Sequence, residues 1–377
     1  MKRTILILTA LFTCSIIYAL ENQTKDLVKT FDIGKGAELH AQINPGDIIV
    51  DTWEANQVKV TVKGLRIDDY DDVEMELRNN HLMVEYDDRY GSNEVEFTFT
   101  VPANFNMNLS TTGGDIRIND KIIGRVTVNT SGGNITTKDM QGKFSCKTMG
   151  GDISLGNING ELNASTQGGD IRVGYVSGKS AELNTMGGDI TITSTEGSFS
   201  ATTYGGDIKI GDVGDDAKAV TYGGEIEFGN VSGSVSMETY GGDLSLESAN
   251  GNVKADTKGG DITLKNIVGS VETSTAGGDI FVELTPSESG RSSIKTSGGD
   301  IELRIPSDAG LDIEAEIRLQ GKERGKIDKY TISSDFLDLA SELSDNGKWI
   351  SANFKMNGGG HKIFLRTTMS NIKINKK

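Results

Sequence analysis

One short phrase, Gly-Gly-Asp-Ile, recurs down the middle of the chain and limits the possible folds more than any other feature. Eleven copies or close variants run from Gly113-Gly114-Asp115-Ile116 to Gly298-Gly299-Asp300-Ile301, and seven of the ten successive spacings are 18 residues. A repeat this short buries its apolar face only by stacking on its neighbours. The period therefore predicts a solenoid.

Apolar and polar residues alternate on both sides of each glycine pair. The predicted inward positions of one repeat are Phe199, Ala201, Thr203, Ile208, Ile210 and Val213. Alternation with a period of two indicates two half-buried strands per repeat. The inward parity changes across the glycines, which predicts a corner at each pair.

Two architectures bury such strands: a meander of hairpins, and a β-helix whose coils stack in parallel register. The constant period favours the β-helix, because stacking then places like residues on like. Proline supports it, since Pro45, Pro102, Pro286 and Pro306 all lie outside residues 103–285, and proline is excluded from strands paired on both edges. We predict an all-β fold, a single-stranded β-helix (β-solenoid) with coils of about 18 residues and atypical capping coils at both ends.

The pattern divides the chain into four segments. Residues 1–19 are predicted to be a cleaved signal peptide, with Lys2 and Arg3 before an apolar stretch and Ile17-Tyr18-Ala19 as the cleavage site. A lipoprotein signal ending at Cys14 is the alternative. Residues 20–108 are predicted to form a strand-rich cap or first coils, residues 109–303 the regular array, and residues 304–377 a C-terminal cap. That cap is expected to contain a short helix over Ser334–Leu343 and degenerate last coils at 358–363 and 371–374.

The formal net charge of −16 argues against nucleic acid and anionic lipid surfaces as partners. Apart from Cys14, the only cysteine is Cys146, so no intramolecular disulfide is expected after cleavage. Cys146 falls in an inward slot and is expected to be a buried, inert thiol. We expect an exported protein of the periplasm, cell surface or medium, with no membrane span once the signal is removed.

The acidic residue after each glycine pair is predicted to form a ladder along the stacked coils. A carboxylate that accepts a backbone N–H at a tight turn offsets the mutual repulsion of the row, and Arg117, Arg172 and Lys209 lie on the same face. The predicted structural ladder comprises Asp115, Asp152, Asp170, Asp189, Asp261, Asp279 and Asp300, together with Asp207, Glu225 and Asp243 at its centre. A row of divalent-cation sites is the alternative, although the spaced glycines of calcium-binding solenoids are missing, and we predict no metal site.

The residue before each glycine pair faces outward and varies. It is tyrosine in three consecutive repeats, at Tyr204, Tyr222 and Tyr240. Tyrosine combines apolar area with a polar tip, so these rings, beside Asp207, Glu225 and Asp243, are a candidate surface for a glycan or another protein. Self-stacking that merely stabilises adjacent coils is the alternative.

The repeated phrase, the signal peptide, Val101-Pro102 before the array and Ile305-Pro306 after it resemble the bacterial putative-adhesin family of domains of unknown function. The resemblance covers about residues 30–375. It implies an envelope or surface β-solenoid, and it brings no catalytic residues with it.

Catalytic and cofactor motifs are missing from the sequence. There is no Gly-x-Ser-x-Gly, His-Glu-x-x-His or phosphate loop, and His40, His81 and His361 have no metal-ligand spacing. We predict no enzyme and no cofactor. Three functions are open: a surface binding module or adhesin, a structural or regulatory envelope scaffold that acts through protein partners, and a β-helix polysaccharide-degrading enzyme. The third is disfavoured because acid–base catalysis needs carboxylates in unlike environments, whereas these acids recur uniformly.

Overall fold

The computed structural model describes residues 25–88, 95–336 and 341–377. The predicted signal peptide, residues 1–19, lies outside these residues. The chain divides into two compact units, Met1–Gly156 and Asn157–Lys377, called here unit 1 and unit 2. The predicted boundaries at 108/109 and 303/304 stay predictions.

Both units are built from short strands. In unit 1 these are β1 (Leu27–Asp32), β2 (Glu38–Asn44), β3 (Asp47–Trp53), β4 (Gln57–Lys63), β5 (Val73–Arg78), β6 (His81–Asp87), β7 (Glu96–Pro102), β8 (Asn106–Thr111), β9 (Ile116–Ile118), β10 (Ile122–Asn129), β11 (Ile135–Thr137), β12 (Met140–Lys147) and β13 (Ile153–Leu155). The array of unit 2 contains β14 (Ile158–Ser165), β15 (Ile171–Val176), β16 (Ser180–Asn184), β17 (Ile190–Thr195), β18 (Ser198–Thr202), β19 (Ile208–Val213), β20 (Ala217–Val220), β21 (Ile226–Val231), β22 (Val235–Glu238), β23 (Leu244–Ala249), β24 (Val253–Asp256), β25 (Ile262–Gly269), β26 (Val271–Thr275), β27 (Ile280–Pro286), β28 (Arg291–Thr296) and β29 (Ile301–Ile305). It is followed by β30 (Leu311–Arg318), β31 (Ile332–Ser334), β32 (Glu342–Leu343), β33 (Trp349–Met356), β34 (His361–Thr368) and β35 (Ile372–Lys376). Helix within the described residues is limited to three 3₁₀ turns, Ile67–Asp72, Gly321–Glu323 and Ile327–Lys329.

Parallel stacking of coils confirms the β-helix within each unit. In unit 2, Ile208 of β19 pairs with Ile190 of β17 on one side and Ile226 of β21 on the other. In unit 1, Val128 pairs with Leu109 and Cys146. Each coil contributes two strands that meet at the Gly-Gly-Asp corner. The repeat period therefore sets the pairing register, and identical positions of successive coils lie on top of one another.

The core is the interior of the coils. All six inward positions predicted for one repeat are buried, with Phe199, Ala201 and Thr203 on β18 or directly after it and the other three on β19. Cys146 is also buried, and burial raises the pKa of its thiol well above the ordinary range. A neutral thiol without solvent access is a poor nucleophile, which agrees with the expected inert role.

Antiparallel strands cover the outer edge of unit 1. Strands β2 and β3 form one coil, with β8 and β9 stacked on one side of it and β6 and β7 on the other, all parallel. Strand β5 then pairs antiparallel with β6, β4 with β7, and β1 with β4. An open parallel edge is a template for aggregation, and this arrangement replaces it with short hairpin strands.

The C-terminal part of unit 2 also departs from chain order. Strands β34 and β35 stack on β28 and β29, and the earlier strands β30 and β31 stack on the other side of β34 and β35. Strand β33 covers β30 in the antiparallel direction. The segments 358–363 and 371–374, expected to belong to the last coils, thus contribute to the coil before the outermost one.

The helix predicted over Ser334–Leu343 is wrong at both of its ends. Ser334 ends strand β31, and Leu343 ends strand β32, while residues 337–340 lie outside the described part of the chain. Pairing of β31 with β35 and of β32 with β33 decides the local structure. Here the tertiary contacts override a helical spacing of apolar residues.

Candidate functional site

A buried threonine ties each corner of the array to the coil before it. The Thr221 hydroxyl donates to the carbonyl oxygen of Gly206 at 2.9 Å and accepts the N–H of Gly224 at 3.3 Å. The same donated bond recurs at Thr185, Thr203, Thr239, Thr257 and Thr275. Because each hydroxyl satisfies a backbone carbonyl that would otherwise be buried without a partner, the column fixes the corners in one position.

Glycine is required in the second position of each pair because stacked corners approach closely. A Cβ atom on Gly224 would lie 2.1 Å from the carbonyl oxygen of Gly206, whereas a Cβ atom on Gly223 would lie 3.2 Å from its nearest neighbour. Neither glycine has the positive φ that excludes other residues. The glycine pair therefore permits coil stacking rather than an unusual turn conformation.

The ladder of acidic residues also connects successive coils. Oδ1 of Asp189 accepts the backbone N–H of Asp207 at 2.8 Å, and Oδ1 of Asp207 accepts that of Glu225 at 2.8 Å. Corresponding bonds join Asp115 to Asn134, Asn134 to Asp152, Asp170 to Asp189, Asp243 to Asp261, Asp261 to Asp279, and Asp279 to Asp300. Each carboxylate was expected to secure a turn, and in the structure it secures the next coil.

Glu225 interrupts this ladder. Within the described part of unit 2 the N–H of Asp243 receives no such bond from Glu225, whose side chain is one methylene longer than that of aspartate. We expect Glu225→Asp to supply the bond and to raise the free energy of unfolding by about 1 kcal/mol, measured by urea denaturation.

The reverse change, Asp243→Glu, is the matched control. It removes the 2.7 Å bond to the N–H of Asp261 without altering the net charge, and it should lower the free energy of unfolding by a similar amount. Equal stability of both variants and the unmodified chain would show that the bonds are energetically neutral.

Basic side chains neutralise only part of the acidic row. Arg117 pairs with Asp115 and with Asp47, and Arg172 pairs with Asp170 at 2.7 Å. Lys209 was expected to act on the row in its own coil, but it pairs at 2.6 Å with Glu227 in the next coil. Within the described residues no group of three or more His, Cys, Asp or Glu side chains is arranged to hold a metal ion.

The three tyrosines form a parallel stack on the outside of unit 2. The ring centroids of Tyr204 and Tyr222 lie 4.8 Å apart with 2° between their planes, and those of Tyr222 and Tyr240 lie 5.1 Å apart with 6° between them. The side chains remain about half exposed, at 55%, 45% and 46%. Met186 occupies the corresponding exposed position one coil earlier, and the ammonium of Lys258 covers the Tyr240 ring at 5.1 Å from its centroid.

Stacking limits what this tyrosine strip can bind. The inner ring faces contact one another, and Lys258 covers the outer face of Tyr240. A sugar ring binds tyrosine mainly through its face, so the strip offers little area for sugar stacking. What it presents to solvent are ring edges and hydroxyls, spaced by one strand separation, beside the corner that carries Asp207, Glu225 and Asp243.

His361 is a buried polar residue whose setting the sequence did not indicate. The Ser292 hydroxyl lies 2.8 Å from Nε2, and the side chain has no solvent exposure. Burial lowers the pKa of His361, which keeps the imidazole neutral near pH 7. Its place inside the coil of β34 and β35 makes it a structural residue.

A family model supports the relationship suggested by the repeats. The model described as Toastrack DUF4097 matches residues 37–239 and 214–319, together well over half of the chain. The chain belongs to the Toastrack DUF4097 family. This agrees with the resemblance to the putative-adhesin group and with the all-β solenoid.

Solved structures show distant likenesses to this Toastrack chain. The crystal structure of a putative cell adhesion protein from Clostridium sporogenes is 8% identical, with 94% of this chain and 100% of that chain covered and a TM-score of 0.18. A putative adhesin from Bacteroides fragilis is 11% identical over 93% and 97%, with a TM-score of 0.24. A putative lipid binding protein from Parabacteroides distasonis is 12% identical over 74% and 94%, with a TM-score of 0.26. At these TM-scores the likenesses carry no inference about ligands.

No curated protein matches this Toastrack chain significantly. In the part of the chain that the structure describes, no helix has both the length and the apolar character needed to cross a membrane.

Proposed function

We propose that this Toastrack chain is a non-enzymatic binding module of the cell envelope or surface, and that the tyrosine strip holds a partner protein. The observation that carries the proposal is the row of three half-exposed tyrosines in consecutive coils. Tyrosine is enriched at protein interfaces because it buries apolar area while keeping a hydrogen-bonding tip.

The surroundings of the strip favour a protein partner over a glycan. The ring faces between the three tyrosines and the outer face of Tyr240 are occupied, while the edges and hydroxyls are free to pack against side chains. The neighbouring corner is acidic, so a partner with exposed arginine or lysine would find complementary charge there. An adhesin and an envelope scaffold would both use the tyrosine strip to bind a partner protein.

Labelling of intact cells with an antibody against the chain distinguishes the two roles, since an adhesin must be accessible from outside the cell.

The uniform ladder supports a role without catalysis. The aspartates along the corner make the same bond to the next coil, so none is distinguished as an acid or a base. We expect no release of reducing sugars when the purified chain is incubated with a panel of polysaccharides. Release above a heat-inactivated sample would contradict the proposal.

Replacement of Tyr204, Tyr222 and Tyr240 by serine tests the strip. We expect the triple variant to retain its fold, since the side chains are exposed, and to bind cells at least about tenfold more weakly when displayed on fluorescent beads. Tyr175→Ser is the matched control, because Tyr175 is an exposed tyrosine of unit 2 that does not belong to the strip.

Pretreatment of the target cells identifies the class of receptor. Protease should abolish bead adherence and periodate oxidation should leave it intact if the partner is a protein. If adherence is lost after periodate treatment but not after protease treatment, the receptor is a glycan and not a protein. Undiminished adherence of the triple variant would refute the role of the strip.

A further inference from the structure

A groove of about 620 Å³ crosses the outer face of four neighbouring strands at the end of unit 2. The strands are β28, β34, β30 and β33, in that spatial order. The groove is remote in sequence from the tyrosine strip, and its volume lies in the range of small-ligand sites. It therefore merits consideration as a second binding surface.

Two cations stand side by side at one end of this groove. Arg291 on β28 and Lys362 on β34 are register partners on adjacent parallel strands, and both are exposed. Neither is in ion-pair contact with a described carboxylate, although Lys362 is also the register partner of Asp312 on β30. In a chain with a net charge of −16, two adjacent cations create a local site where an anion is attracted rather than repelled.

The nearest acidic side chain on the adjacent strand is already engaged. Asp312 on β30 accepts the N–H of Gly360 at 3.3 Å and pairs with Lys355 on β33 at 3.3 Å. The Gly360 N–H and Lys355, with a further contribution from Lys362, lower the pKa of Asp312. Lys355 is the cation in ion-pair contact with Asp312, at 3.3 Å, so Arg291 and most of the charge of Lys362 stay available to an external anion.

The middle of the groove offers an aromatic ring and two oxygen-bearing side chains. Phe364 on β34 is half-buried, with Glu314 as its register partner on β30 and Asn353 beyond it on β33. Arg366 and Lys295 lie over the Phe364 ring at 4.7 and 5.5 Å from its centroid. Arg366 lies two residues after Phe364 on β34, and Lys295 is the register partner of Arg366 on β28, so both lie on the same face of the sheet as Phe364.

We propose that this groove binds an oligosaccharide that carries carboxylate groups, such as a chain of uronic acids. Arg291 and Lys362 receive a sugar carboxylate through charge-assisted hydrogen bonds. The part of the Phe364 ring that Arg366 and Lys295 leave exposed packs against the apolar face of a sugar ring, and Glu314 and Asn353 accept or donate hydrogen bonds to its hydroxyls. The carboxylate of Glu314 disfavours densely charged polyanions, which argues for a sugar rather than nucleic acid.

Calorimetric titration with defined oligosaccharides tests the proposal. We expect tetramers of galacturonate or guluronate to bind, with an affinity that falls as sodium chloride is raised, and maltotetraose, a neutral tetramer, to bind at least about tenfold more weakly. The double variant Arg291→Gln/Lys362→Gln should lose at least about tenfold in affinity for the acidic tetramers. Phe364→Leu should weaken tetramer binding while the cations remain.

Controls separate this groove from general electrostatics and from the tyrosine strip. Lys218→Gln, at an exposed position elsewhere in unit 2, and the triple tyrosine variant should bind the acidic tetramers as the unmodified chain does. The thermal midpoint of every variant verifies its fold.

Any of the following results would overturn the proposal: absence of binding by both acidic tetramers, equal binding of maltotetraose, or unchanged affinity in the Arg291→Gln/Lys362→Gln variant. Binding of acetate or monomeric galacturonate as tight as that of the tetramers would reduce the groove to a simple anion site, which also contradicts it.

Discussion

Gly224→Ala should destabilise the chain by about 3–5 kcal/mol. The added methyl would lie 2.1 Å from the carbonyl oxygen of Gly206, well inside van der Waals contact. That oxygen belongs to the backbone of the coil before, so relief requires two stacked coils to separate. Separation would lengthen the ladder hydrogen bonds on both sides of the corner. Urea denaturation followed by circular dichroism measures the loss.

Gly223→Ala is the matched control because it adds the same methyl one residue earlier. Its Cβ would lie 3.2 Å from the nearest atom, the Gly205 carbonyl oxygen, a tight contact that a small shift relieves. We expect a loss of less than about 1 kcal/mol. Similar losses at the two positions would mean that glycine is needed for backbone conformation and not for the close approach of coils.

Thr221→Val should lower the free energy of unfolding by about 2–3 kcal/mol. Valine fills the same volume but removes the hydroxyl that joins the Gly206 carbonyl to the Gly224 N–H. Thr221 has no solvent exposure, so water cannot replace the lost partner. Two backbone groups would then lie buried with reduced hydrogen bonding, which costs more than the net value of one hydrogen bond. Thermal and urea denaturation of the variant give the size of the loss.

Thr195→Val provides the comparison. Thr195 is also buried, but within the described residues its hydroxyl has no hydrogen-bond partner. Removing an unsatisfied buried hydroxyl should leave stability unchanged or raise it by up to about 1 kcal/mol. A loss at Thr195 equal to that at Thr221 would attribute both effects to packing and would contradict the hydrogen-bonding role of the threonine column.

The residues that hold the coils together leave the outward-facing positions free to vary and to bind partners. Stacking depends on the second glycine, the buried threonine and the corner aspartate, which repeat in nearly every coil. The residue before the glycine pair faces solvent and contributes none of these bonds. Tyr204, Tyr222 and Tyr240 are thus tolerated rather than required by the fold, and this is the physical reason to look for binding there.

The fold of the array could be predicted from the sequence because its pairing is periodic. A spacing of 18 residues places Ile190, Ile208 and Ile226 in register, and alternation assigns their side chains to the interior. The ends could not be predicted in the same way. Strands β30 and β31 stack outside the later strands β34 and β35, so the order of stacking differs from the order along the chain. No local sequence pattern indicates such a change between distant segments.

The sequence by itself determined the parallel solenoid, its inward residues, its corners and the outward tyrosines, because period and parity are properties of the chain that stacking preserves. Only the tertiary structure decided what those residues contact. It showed that the aspartates bond to the next coil, that the inner faces of the tyrosine rings are covered by one another, and that Arg291 and Lys362 lie side by side. These contacts depend on distances of a few ångströms between segments far apart in the sequence, and spacing along a chain does not contain that information.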